Sequence, residues 1–160
     1  MRGRTRQEGG AATRRGERGA ALLEFTIGAV VFMTAVFAVL EFGRLLWTHN
    51  ALTDAARRGA RYAVNHGKSA GEIESAQKVA VYGTATPAAD ARPLVNELRP
   101  GQVKVFHSNS YNVGEGTVTV RIEGYQFNFV VPLVGRTITM PTYRTTLTGE
   151  NAGQVPATIQ

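Results

Sequence analysis

Residues Arg18 to Leu40 read RGAALLEFTIGAVVFMTAVFAVL. Ala20 to Leu40 supplies 21 residues broken by one charge, Glu24, and about 20 apolar residues suffice to cross a bilayer as a helix. Phe25 to Leu40 carries no charge at all. Glu24 is therefore conspicuous. A carboxylate costs roughly 2.5 kcal/mol or more at a bilayer centre and less near the interface, so an acid in such a run is a functional-site candidate.

The residues before the span are basic. Arg2, Arg4, Arg6, Arg14, Arg15 and Arg18 stand against Glu8 and Glu17, so most of the chain's net charge of +6 lies in residues 1–19. Their Arg- and Gly-rich composition, without apolar periodicity, predicts a disordered leader. A basic flank places the N-terminus in the cytoplasm and the rest outside, so no nucleic-acid partner is expected for a tail that adjoins a membrane span. The chain has no cysteine, which excludes disulfides and thiolate metal sites.

Beyond the span the helical pattern continues. Glu41 and Arg44 are spaced i,i+3 and could pair, although plain solvation is the expectation; Trp47 suits the membrane–water boundary. Leu52, Ala55, Ala56, Ala60 and Ala63 form a small apolar face, while Arg57, Arg58 and Arg61 read as a solvated one. One helix over 20–66 is predicted, with its transmembrane part at about 20–40 and Gly67 as C-cap. Residues 67–100 form a helical and loop linker. There Ser69 and Glu72 have the spacing of a capping box, Ile73, Ala76, Ala80 and Val81 share a helical face, and Asp90 to Leu98 is a further short helix before the Pro100-Gly101 turn.

After Gly101 the period falls to two. Val103 to His107, Thr117 to Ile122, Tyr125 to Val130, Arg136 to Met140 and Thr142 to Thr148 read as strands, the last two split by Pro141. Gly124 marks a bend, and Asn109 to Gly116 and Pro132 to Gly135 mark turns. Val118, Val120, Ile122, Tyr125, Phe127 and Phe129 are the expected buried face. The fold class is α+β: a long, partly transmembrane N-terminal helix plus a C-terminal antiparallel β-sheet over 101–150, with residues 151–160 a flexible tail.

No enzyme is legible. His49, His66 and His107 are scattered without metal-ligand spacing. Asp90, His107, Ser108 and Ser110 form no recognised nucleophile motif, and Gly114-Glu115-Gly116 is a turn rather than a phosphate loop. Neither a cofactor, a metal nor a small-molecule substrate is expected.

Arg18-Gly19-Ala20-Ala21-Leu22-Leu23-Glu24-Phe25 resembles a type IV prepilin signal. With the span and the run Ala55-Ala56-Arg57-Arg58-Gly59-Ala60-Arg61-Tyr62-Ala63, the chain resembles a TadE-like minor pilin or pseudopilin of the tight-adherence (Flp-type) pilus system. That resemblance implies cleavage between Gly19 and Ala20 by a prepilin peptidase and a slim residue at the cleaved bond. It also implies residence in the bacterial inner membrane or the pilus, with partners among other pilin subunits, the assembly platform and membrane lipid. Glu24 would become the fifth mature residue, followed by Phe25. A carboxylate one turn into the helix can neutralise a newly freed amine, in its own subunit or a neighbour, and so fix axial register. Gly28, Ala29, Ala35 and Ala38 would let helices approach closely in lipid. An ordinary secretory signal is disfavoured, because the span is too long and no Ala-x-Ala site follows a short apolar core. The alternative is an uncleaved, single-span binding module with an extracytoplasmic α+β domain.

Overall fold

The structure, a computed structural model, describes residues 10–108, 116–130 and 137–149, with side chains from residue 19 onward. The expected tail 151–160, the turn at Pro132 to Gly135 and all but the last residue of the turn at Asn109 to Gly116 lie outside the described residues, as do residues 1–9.

Helix α1 runs Gly10–Val64. It starts before Ala20, so residues 10–19, expected to belong to a disordered leader, are helical: Ala11, Ala12, Arg14, Arg15, Glu17 and Arg18 are adequate helix formers, and extending an existing helix avoids the cost of nucleation. At its other end α1 stops without a glycine cap. Gly67 does not adopt a positive φ; instead Asn65 Nδ2 donates to Arg61 O at 3.0 Å, and His66 Nδ1 lies 2.7 Å from Tyr62 O. These side chains satisfy carbonyls that the last turn leaves without intrahelical partners.

The chain divides into two compact units, Met1–Phe42 and Gly43–Gln160. In the first, the apolar side chains face outward all round the helix; Leu22, Phe25, Val31, Val39 and Leu40 are all exposed. Helix Gly19–Val64 contains a stretch long and apolar enough to cross a membrane, with a mean hydropathy of 2.2 and none of it buried. Thr26 and Thr34 return their hydroxyls to Leu22 O and Val30 O, at 2.7 and 2.8 Å, so these polar groups are satisfied within the helix itself.

The second unit has a core of its own. Leu52, Ala55, Ala56, Ala60 and Ala63 are buried as the sequence predicts, together with Val118, Val120, Ile122, Tyr125 and Phe127. Phe129 is only half-buried and packs edge-on against Phe127, with ring centroids 5.1 Å apart. Helix α2, Ala70–Tyr82, contributes Ala76, Ala80 and Val81. Ser69 caps it by accepting the Glu72 N–H, and Gly83 ends it in the left-handed region at φ +81. The Glu72 carboxylate accepts instead from the Tyr62 hydroxyl at 3.3 Å, tying α2 to α1.

No helix forms between Asp90 and Leu98. Pro93 disfavours a helical Arg92 before it, and Glu97 adopts φ +62, outside the helical region. The segment still supplies core residues, because Val95 and Leu98 are almost completely buried.

The strands are β1 Val103–His107, β2 Thr117–Ile122, β3 Gln126–Asn128, β4 Thr137–Thr139 and β5 Tyr143–Thr148. They form two antiparallel sheets rather than one: a three-stranded sheet in the order β1-β2-β5 and a separate β3-β4 pair. Gly124, at φ +69, turns the chain after β2, so the next strand leaves the first sheet. Pro141 cannot donate to a ladder and separates β4 from β5.

Candidate functional site

Gly19, Ala20, Glu24 and Phe25 lie along one turn and a half of α1, and all are exposed. At 1.5 Å per residue, Glu24 is about 6 Å along the axis from Ala20. With about 100° between successive residues, Glu24, Gly28, Ala35 and Ala38 fall within roughly a quarter-turn of one another, whereas Ala29 lies about 100° from Gly28. The helix thus gathers the acid and three of the four small residues on one face. Ala29 belongs instead to a shallow apolar groove lined by Phe25, Thr26, Val30, Met33, Thr34 and Phe37.

Among the described residues, no close contact within the chain requires glycine at position 19 or 28. A Cβ built on Gly19 or on Gly28 would meet nothing within 4 Å. Glycine inside a helix costs about 1 kcal/mol relative to alanine. Neither position recovers that cost through a close contact within the chain.

The folded unit uses its polar groups internally. His49 Nδ1 lies 2.9 Å from the Tyr143 hydroxyl, and Tyr143 is pushed above the usual phenol range, chiefly by burial. His66 stacks on Tyr62 with ring centroids 3.8 Å apart. His107 is held below its ordinary value of 6.5, first by burial, against a backbone hydrogen bond at Ala63, with Lys68 adding to the depression. The Tyr125 hydroxyl donates to Asn96 O at 2.8 Å; burial raises its pKa, Glu97 adds to the rise and Arg44 opposes it.

Three charged residues, Glu41, Arg44 and Arg58, depart from the plain solvation expected of them. Glu41 is only 6% exposed. Arg44 donates to Asn128 O and lies over the Phe127 ring, 4.4 Å from its centroid. Arg58 is half-buried and donates to Ala80 O at 3.3 Å, unlike Arg57, which stays exposed beside Asp54. Both arginines reach across the gap between α1 and residues far away in sequence, a pairing that helical periodicity alone does not reveal. Among the described residues no cluster of three or more His, Asp or Glu could hold a metal ion. Ser108 Oγ accepts the Thr117 N–H at 3.2 Å, and Ser110 lies outside the described residues.

An exposed apolar helix of membrane-spanning length precedes the α+β unit in the chain and suggests membrane anchoring. Over that helix, residues 19–61 match the family model described as TadE-like protein. No curated protein and no solved structure matches the chain.

Proposed function

We propose that the chain is a minor pilin or pseudopilin of a tight-adherence pulus or related secretion filament, matured by a prepilin peptidase that cuts between Gly19 and Ala20. The observation that carries this reading is the exposed glycine at position 19, inside a helix and without a neighbour a Cβ would touch. The fold gives no reason for its small size. A peptidase that must approach the backbone does.

Cleavage would turn an interior helical position into a terminus. Ala20 would then carry a free amine and Glu24 a carboxylate one turn away, a pair that lowers the cost of holding either charge in lipid. An incoming subunit could pair its amine with Glu24 at only one axial offset. Gly28, Ala35 and Ala38, on the same face as Glu24, would let neighbouring helices pack closely around that contact. The cytoplasmic membrane would hold the precursor with its arginines inside and the α+β unit outside. Its partners would be the peptidase, other pilin subunits and the assembly platform, in a structural rather than catalytic role.

The alternative, an uncleaved anchored binding module, draws on a different observation: α1 passes through the Gly19–Ala20 bond without a break. Hydrogen-bonded helix must open before a protease can act on it. N-terminal mass spectrometry of the membrane fraction, from cells with and without prepilin peptidase, separates the two. A mature N-terminus at Ala20 that depends on the peptidase is expected. A chain that retains its arginine leader in both strains overturns the proposal.

A further inference from the structure

The register of the three-stranded sheet sets three cations in a row. Lys104 of β1 is opposite Arg121 of β2, and Arg121 is opposite Arg144 of β5. Directly opposed residues on one face have Cβ atoms about 5 Å apart, so the row is roughly 10 Å long. The inner faces of the same strands carry Val103, Val118, Val120, Ile122 and Tyr143, all buried, so the row belongs to the outer face. Lys104 and Arg144 are exposed. The Arg121 guanidinium lies 5.1 Å from the centroid of Phe106, which is itself 49% exposed, and its Nε is covered and has no hydrogen-bond partner. Among the described residues, none of the three cations pairs with a carboxylate.

Like charges directly opposed across strands repel, and this sheet holds two such contacts in succession. The fold gains nothing visible from them. We propose that the row is a docking site for an acidic surface of a partner protein, one that presents carboxylates at the spacing of adjacent strands or of one helical turn. The two guanidinium forks can each take a carboxylate in bidentate fashion. The surroundings favour separate carboxylates over a continuous phosphate polymer. Glu123 lies one residue beyond β2, where its N–H donates to Gln102 O at 3.0 Å; two residues after Arg121, it brings a negative charge to that end of the strand. On the other side are the neutral hydroxyls of Thr119 and Thr146, hydrogen-bonded to each other at 2.9 Å. A dense polyanion running along β2 would meet Glu123; acids crossing the strands would not. The site does not depend on processing at Gly19.

The absence of cysteine permits a local reporter. A Thr146→Cys variant of the full chain in neutral detergent, labelled with an environment-sensitive dye, is titrated with a short poly-L-glutamate peptide. A saturable response is expected at Thr146→Cys and none at Gly71→Cys, a control on α2 outside the row. Adding Lys104→Gln, Arg121→Gln and Arg144→Gln should weaken binding by roughly tenfold, the combined scale of three exposed ion pairs. That triple variant should melt at or above its parent, since repulsion has been removed. No saturable response, or an unchanged one in the triple variant, overturns the site. A triple variant that melts lower overturns it too, by making the row structural. Tighter binding of polyphosphate or of phosphatidylglycerol vesicles at equal charge overturns the choice of a protein partner.

Discussion

Gly59 of α1 faces Ala80 of α2 so closely that a Cβ added to the glycine would lie 3.0 Å from the alanine's own Cβ, with Ala76 O at 3.3 Å. Those neighbours are a methyl group and backbone, with no flexible side chain to give way. The Gly59 position fixes how near the two helices approach, and Val120 of the sheet closes the third side at 3.5 Å.

A Gly59→Val substitution should therefore destabilise the folded unit by about 2–3 kcal/mol, since overpacking outweighs the gain in helix propensity. Gly71→Ala, in α2 with nothing within 4 Å of the new methyl, should be neutral to stabilising by up to about 1 kcal/mol. Urea unfolding of both variants in one detergent, followed by near-ultraviolet circular dichroism, compares them directly.

Leu98→Ala tests whether the irregular segment after α2 is part of the core. Leu98 is 1% exposed, and truncation of a buried leucine costs about 2–5 kcal/mol. A loss below about 0.5 kcal/mol, the size of a surface change, would show that this segment is peripheral.

Tyr125→Phe removes the hydroxyl that donates to Asn96 O and leaves that acceptor without this partner. The expected cost is about 1–2 kcal/mol, with the aromatic packing intact. The same unfolding measurement reads it.

Acid should weaken the folded unit through His107. Its folded-state pKa lies below the ordinary value of 6.5, chiefly through burial, so the unfolded chain binds the proton more readily. The contribution is fully present above 6.5 and is lost as pH falls through the depressed value. Melting temperature should drop on acidification over that window, and His107→Gln should flatten the profile there.

Glu24→Ala should leave peptidase processing largely intact and impair assembly, while Gly19→Trp should block processing without disturbing the folded unit, since the space around Gly19 is open. Immunoblots of precursor and mature forms, set beside filament counts, check both. Unchanged piliation with Glu24→Ala would remove the charge-pairing role.

Much of this architecture was legible because two periods differ so plainly. The uninterrupted apolar run from Phe25 to Leu40 announced the span, and the alternation in Thr117 to Ile122 announced β2. The alanines of α1 at helical spacing identified a face that needed a partner, and it is buried. Residues governed by distant contacts were harder to read. Asp90 to Leu98 has apolar residues at helical spacing, yet Pro93 and the conformation of Glu97 prevent the helix. The division into two sheets depends on the backbone of Gly124, which composition marks only as a bend. The row Lys104, Arg121 and Arg144 exists only once strand register is known. Gly19 and Glu24, the proposed cleavage and pairing residues, stood out by chemistry rather than packing: among the described residues nothing touches the helical glycine, and the acid interrupts an apolar run.

At the seam between α1 and α2, Gly59 meets Ala80 and Ala76, and both alanines have no exposed surface. Alanine has no side-chain rotamer to exchange. A pair of helices joined through such methyl groups cannot absorb a displacement by reshuffling side chains, as a leucine-rich interface can. Any load that shifts one helix must carry the other with it or separate them, so this joint behaves as a rigid coupling and not as a hinge.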